Sequence, residues 1–188
     1  MSGASKRRGG SGWVRRVVET CCGALLCVLL GALGSVSTEA DGNLVSNPGF
    51  ESVDGELPLH WRFDGAETEG GGVSGDARSG AHCVYTQLDA RRHASWWQDG
   101  IPVEPNTTYE VGLWVWVDLP ASLKVVRLTV VFDTHTSPYH TEVLTPGRWH
   151  RLSYTVRSWP EDRHARIRIL LGRDWEGRAR FDDVFLQV

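Results

Sequence analysis

From Asn43 onward the chain runs in short stretches where apolar and polar residues alternate at every second position, with no helical period. A period of two is the signature of a strand with one buried face. In residues 109–117 the odd positions (Tyr109, Val111, Leu113, Val115, Val117) face a core, which leaves Trp114 and Trp116 on the other side. Residues 126–132 bury their even positions, Val126, Leu128, Val130 and Phe132. Residues 165–171 alternate with Arg166 and Arg168 on the far side, and Leu152, Tyr154 and Val156 form another inward row. The closing stretch sets Val184, Leu186 and Val188 on one side; by that count Asp182 points toward the core and Asp183 away. Turn clusters at 55–58, 70–75, 89–92, 105–106, 137–138 and 145–147 punctuate the strands. Strands and breaks at this spacing predict an all-β sandwich or barrel.

Residues 1–40 differ in kind. Lys6, Arg7, Arg8, Arg15 and Arg16 precede an apolar run over 21–36, and small residues lead on to Thr38-Glu39-Ala40. That order is the order of a secretory signal peptide. The run is just short of a comfortable membrane span, so an uncleaved signal anchor is the competing expectation. Cleavage is expected after Ser37 or Ala40, leaving one domain over 41–188 that is secreted or displayed at the cell surface, membrane-anchored if the leader stays.

Three of the four cysteines (Cys21, Cys22, Cys27) lie in that leader, so the domain keeps Cys83 alone and no internal disulfide. Without residues 1–40 there remain 15 basic against 21 acidic residues, a net charge of −6. That sign argues against nucleic acid as a partner and suits a neutral ligand or a cation.

Something other than a disulfide must then tie the ends. The strand-like opening piece, residues 43–51, carries Glu51, and the closing piece carries Asp182, each inside an apolar run. Burying a carboxylate is costly unless it is paired or metal-bound. If the two ends lie side by side, Glu51 and Asp182 can share one hard cation; the alternative is that both acids bind backbone amides without a metal.

These residues resemble a known family. Asn47-Pro48-Gly49-Phe50-Glu51 is similar to the opening of the CenC-type carbohydrate-binding modules, galactose-binding-like jelly rolls that include cellulose- and xylan-binding members. The likeness continues in order through Trp61, the loop Ala77-Arg78-Ser79-Gly80-Ala81-His82, and Gln98 followed by residues 103–109. It then takes in Gly147-Arg148-Trp149 and Phe181-Asp182-Asp183-Val184, so that it covers 43–188. The resemblance implies a two-sheet antiparallel jelly roll, carbohydrate binding without catalysis, and a structural Ca²⁺ held by Glu51, Asp182 and backbone carbonyls. Oxygen donors of this kind are what Ca²⁺ prefers.

Sugar rings present flat C–H faces that stack on aromatic side chains. Nine tryptophans are many for this length, and one, Trp13, belongs to the leader. Trp114 and Trp116 share an outward face, roughly 7 Å apart, a separation that suits neighbouring sugar units. Trp96 and Trp97 precede Gln98, and one of the two must point outward. The candidate carbohydrate contacts are therefore Trp96, Trp97, Gln98, Trp114 and Trp116. The competing account is that loops or a partner domain cover these rings. Trp61, Trp149 and Trp159 are expected to be packing or turn residues. Arg127, Thr129, Arg166 and Arg168 would form a polar rim if their strands share a sheet, although such arginines also serve as solvated, edge-protecting charge.

Nothing in the sequence favours an enzyme. The histidines lack metal-ligand spacing, and His135 and His140 are expected in a surface loop. Glu67 and Glu69 flank the glycine cluster at 70–72 and read as solvated loop charge, and no serine sits in a nucleophile elbow. Asn106-Thr107-Thr108 is a glycosylation sequon that the family resemblance makes a strand-entry turn. The partner expected is a polysaccharide or glycan, with a separate secreted enzyme or surface protein as a second associate. The alternatives are an adhesive or assembly domain whose tryptophan face meets protein, or a small glycoside hydrolase.

Overall fold

The structure, a computed structural model, describes residues 42–65, 70–88, 93–118, 126–138, 144–172 and 176–188. The leader, Glu67, Glu69, the turn at 89–92 and His140 lie outside the described residues.

The alternation predicted from sequence becomes eleven strands among the described residues: β1 (Val53–Asp54), β2 (Leu57–Pro58), β3 (Arg62–Gly65), β4 (Gly71–Ser74), β5 (Cys83–Leu88), β6 (Ala94–Pro102), β7 (Thr108–Val117), β8 (Val126–Phe132), β9 (Trp149–Arg157), β10 (His164–Leu171) and β11 (Gly177–Gln187). They form a four-stranded sheet in the order β3-β6-β10-β8, a five-stranded sheet in the order β4-β5-β11-β7-β9, and the small hairpin β1-β2. Every pairing is antiparallel. The fold is an all-β sandwich.

Both sheets contribute one face to a single core. Val111, Leu113, Val115 and Val117 from β7 meet Leu128 and Val130 from β8 and Ile167 and Ile169 from β10, all essentially inaccessible to solvent. Burying a side chain of this size stabilises by about 1.5–3 kcal/mol each. Polar bridges lock one sheet against the other. Trp96 of β6 donates its indole N–H to Tyr85 O (3.2 Å) and Thr86 Oγ1 (3.1 Å) of β5, and the Tyr154 hydroxyl of β9 donates to Leu128 O of β8 at 2.9 Å.

The opening segment is not a strand. It is a loop pinned to β11 by Leu44 N to Leu186 O (2.8 Å), Asn43 Nδ2 to Val184 O (3.0 Å) and Leu186 N to Asn43 Oδ1 (3.0 Å). Its Asn-Pro-Gly-Phe-Glu motif has a local physical logic. Asn47 adopts φ 50°, a left-handed conformation that asparagine tolerates, and its side-chain amide gathers Ser52 and Leu59. Phe50 is buried against Trp61, with ring centroids 5.0 Å apart.

One expectation about β11 is corrected. Asp182 pairs with Trp114, and Phe181 pairs with Val115. Directly opposed residues share a face, so Asp182 stands on the outer side with Trp114, away from the core. A register shift between Asp182 and Phe185, with Asp183 at φ 48°, then returns Val184 and Leu186 to the inside. A bulge breaks the simple period of two. Val188, counted inward from sequence, is 87% exposed.

Candidate functional site

The candidate sugar-contacting residues divide among three places. Trp96 and Gln98 point into the sandwich, 0% and 4% exposed. Trp96 is spent on the bridge to β5 and on an aromatic contact with Phe63 at 4.8 Å. The Gln98 amide forms a two-bond clamp with the opening segment: Ser46 N donates to Oε1 (2.9 Å) and Nε2 donates to Ser46 O (2.8 Å). These two residues are framework and make no surface a glycan can reach.

Trp97, the next position along β6, faces outward on the four-stranded sheet. Its cross-strand neighbours are Arg62 on β3 and Arg168 on β10, and Arg168 is in turn opposite Thr129 on β8. The row Arg62–Trp97–Arg168–Thr129 therefore crosses the whole sheet. Beside it run Asp64, Ser95, Leu170 and Arg127 in the same manner. The Arg62 guanidinium lies 5.0 Å from the Trp97 ring centroid and that of Arg166 lies 4.8 Å from it. Arg168 donates to Ser95 Oγ (3.2 Å) and approaches Asp64 (3.8 Å), while Arg166 pairs with Asp99. The condition set from sequence is met: Arg127, Thr129, Arg166 and Arg168 share one sheet.

Trp114 and Trp116 face outward on the five-stranded sheet, as alternation predicts. Trp149, expected only to pack or turn, opens β9 directly opposite Trp116. A row Trp149–Trp116–Arg180–Tyr85 results. Four rings of this face carry a guanidinium: Arg78 over Trp114 at 3.9 Å, Arg180 over Trp116 at 4.3 Å, Arg178 over Tyr85 at 4.8 Å and Arg151 over Phe185 at 5.0 Å. Three of these arginines are also ion-paired, Arg78 with Asp183 (2.6 Å), Arg180 with Asp76 (2.7 Å) and Arg151 with Glu110 (2.8 Å). A cation over an exposed ring is worth about 0.5–1 kcal/mol, so a sugar stacking here must first displace an arginine held twice.

The two acids of the chain ends do come together, around the loop at 76–82. Asp182, 0% exposed, accepts from Arg78 N (2.8 Å) and Ser79 N (3.1 Å) on Oδ2 and from Asp183 N (2.8 Å) on Oδ1. Glu51 Oε1 accepts from Ala81 N (2.9 Å) and His82 N (3.1 Å). Gly80 sits against the Glu51 carboxylate with φ 62°, leaving no room for a side chain. Burial pushes the Asp182 carboxyl up to about 7, against the bond from Ser79 N, and the neighbouring Asp183 charge adds to the rise. No group of three or more His, Cys, Asp or Glu side chains is arranged to hold a metal among the described residues. Among the described residues every hydrogen bond to these two carboxylates comes from a backbone N–H. That is the arrangement of the alternative in which both acids bind amides without a metal. A cation held by Glu51 and Asp182 would compete with those donors while favouring the charged form of Asp182.

His135 is no free surface histidine. It is stacked between Phe132 (4.8 Å) and Trp159 (4.1 Å), with Nδ1 3.3 Å from the buried Asp162. Trp159 itself is 51% exposed.

A family model described as a carbohydrate binding domain matches residues 42–176. No curated protein matches the chain. Among solved structures, TmCBM61 in complex with β-1,4-galactotriose is 23% identical, with a TM-score of 0.54 over 77% of this chain and 97% of that one. The CBM22-1 xylan-binding domain from Paenibacillus barcinonensis Xyn10C is 18% identical, with a TM-score of 0.55 over 78% and 94%. The enzymatically active domain of Bacteriophage CBA120 tailspike protein 4 is 14% identical, with a TM-score of 0.58 over 77% of this chain. This chain covers only 21% of that tailspike chain. At these identities the likenesses speak to fold alone.

Proposed function

The chain belongs to the carbohydrate-binding domain family, and from that premise we propose that it recognises a polysaccharide, without cleaving it, through the outer face of the four-stranded sheet around Trp97. The carrying observation is the unbroken row Arg62–Trp97–Arg168–Thr129. It places one aromatic ring among guanidinium and hydroxyl donors on the outer side of one sheet, the combination that a pyranose with an apolar face and polar rim requires. The Trp114 and Trp116 face has more rings, but both of its tryptophans lie under an ion-paired arginine, whereas of the two arginines over Trp97 only Arg166 is also ion-paired among the described residues. The neighbouring solved domains, one bound to galactotriose and one named as xylan-binding, are consistent with a glycan partner.

Affinity electrophoresis against a polysaccharide panel tests this with Trp97→Ala beside a Trp114→Ala/Trp116→Ala double variant. Retardation should be lost in the first and kept in the second. Loss only in the double variant moves the site to the five-stranded face; no retardation of the wild type on any glycan ends the sugar proposal.

The same domain is proposed to be exported and to hold a structural Ca²⁺ between Glu51 and Asp182. Support comes from the leader pattern and from the convergence of both carboxylates on the loop at 76–82. The melting temperature should fall with chelator and recover with Ca²⁺. Indifference to chelator, with Glu51→Ala harmless, would remove the metal from the account.

A further inference from the structure

Trp159 differs from the other tryptophans. Among the described residues it alone is more than half exposed, at 51%, and no guanidinium lies over it as over Trp97, Trp114 and Trp116. His135 stacks on one face of its ring at 4.1 Å, with the planes 11° from parallel, and Phe132 backs His135 at 4.8 Å. With that face covered, such exposure must come mainly from the opposite one. The loop that carries the ring is fastened by a buried acid. Asp162, 0% exposed, accepts from Trp159 N at 2.6 Å and from Thr134 N and Oγ1 at 3.0 and 2.8 Å, and it stands 3.3 Å from His135 Nδ1. Ring and backing are therefore fixed before any ligand arrives, which lowers the ordering cost of binding. Asn106 stands beside them. Its N–H donates to Trp159 O at 3.4 Å, its φ is 54°, and its exposed side-chain amide has no hydrogen-bond partner among the described residues.

We propose that Trp159 and Asn106 form a second carbohydrate site, in the connection between β9 and β10, that takes one neutral pyranose unit of a glycan. The open indole face receives the C–H face of the sugar. The Asn106 amide offers one donor group and one acceptor, which suits a pair of neighbouring hydroxyls. The site is separate from the Trp97 face. Trp97 and Pro102 are roughly 16 Å apart along β6, and the loop is joined beyond the far end of that strand, through Val103 N to Arg163 O at 2.9 Å. One sugar ring cannot touch both. The inference rests on the chain's membership of a carbohydrate-binding family and does not depend on Trp97. A protein partner would find too little here. Half an indole offers on the order of 100 Å², against about 800 Å² on each side of a stable interface. No other exposed large apolar residue lies in this loop or in the turn at 103–107.

Fluorine NMR of the full-length protein labelled with 5-fluorotryptophan tests this, with β-1,4-galactotriose and β-1,4-xylotriose as probes and glycerol as the control. The Trp159 signal is assigned by its absence in Trp159→Phe. It should move saturably with at least one trisaccharide, with a dissociation constant of about 1–10 mM. Trp97→Ala should leave that titration unchanged. Asn106→Gly, which tolerates the left-handed backbone but lacks the amide, should weaken it by about three- to tenfold. A Trp159 signal that stays still with both sugars would overturn the proposal, as would an equal movement with glycerol. Affinity equal to wild type in Asn106→Gly would overturn the assignment of the amide. Movement that vanishes in Trp97→Ala would reduce the response to a secondary effect of the sheet face and overturn the second site. A signal that moves with protein concentration alone would assign the ring to a contact between copies of this chain, and overturn it too. Movement of Trp159 in a protein whose polysaccharide retardation is indifferent to Trp97→Ala defeats the Trp97 reading and leaves this one standing.

Discussion

Removing the Asp182 side chain should unfasten the loop at 76–82. In Asp182→Ala three backbone N–H groups lose their acceptor: those of Arg78, Ser79 and Asp183. The carboxylate they bind is 0% exposed. A buried donor left unsatisfied costs about 1–3 kcal/mol. The loop can shift and admit water, so the low end applies to each, giving about 3–4 kcal/mol in total. Against a domain stability of about 5–15 kcal/mol that is a large share. The comparison that isolates the effect is Asp183→Ala. Asp183 holds the same loop through Arg78 Nη1 and Ser79 Oγ, both at 2.6 Å, but on the exposed side. Exposed bonds and pairs of this sort contribute about 1 kcal/mol or less. Urea denaturation followed by tryptophan fluorescence, with the midpoint and slope fitted for each variant, gives the two differences directly. A loss in Asp182→Ala no greater than that in Asp183→Ala would refute the claim that buried backbone donors, rather than the surface pair, secure the loop.

Other expectations follow from single positions. Gly112→Ala should destabilise by about 1–3 kcal/mol, because an added Cβ would press on the Phe185 ring and on the backbone carbonyl of Leu152; a denaturation midpoint equal to wild type would contradict that packing. Cys83 is buried, and desolvation chiefly, with the Asp182 charge, pushes its thiol up to about 12. It should therefore resist a thiol-specific reagent at pH 8 in the folded protein and react promptly in denaturant. Burial works against ionisation of Asp162, but donors from Trp159 N and Thr134 outweigh it and hold the carboxyl below its ordinary value. A depressed folded value contributes stability that is present above the unfolded value and lost as pH falls through the folded one. The acid-side loss of stability below pH 4 should be shallower in Asp162→Asn than in wild type, measured by denaturation across that range.

The sandwich was legible because its long strands obey one period. Tyr109 to Val117 on β7 and Ala165 to Leu171 on β10 bury the alternate residues that sequence picks. The site was legible only in fragments, for three physical reasons. Trp96 and Trp97 are adjacent, so one is framework and one is surface, and residue type cannot say which. The bulge at Asp182 and Asp183 reverses the face parity that a count backward from Leu186 assumes. The arginines over Trp114 and Trp116 come from the loop at 76–82 and from β11, far away in sequence. Pairing of β8 with β10, which completes the row through Trp97, is likewise a long-range fact. Trp149 had an available signal: it begins an alternating run with Arg151 and Ser153 outward, opposite Trp114 and Gly112.

The Gln98 clamp gives the fold a mechanical character. Ser46 is gripped by Gln98 through two bonds, and Asn43 and Leu44 are gripped by β11. Tension applied to the chain at its opening segment enters the sandwich at these points and reaches β6 one residue from Trp97. A domain holding a glycan at Trp97 while pulled from residue 43 would load β11 first, through Asn43 and Leu44, and β6 only after those bonds give way, through Ser46 and Gln98. The strength of its grip would then depend on a few hydrogen bonds of the opening segment as much as on the surface that touches the sugar.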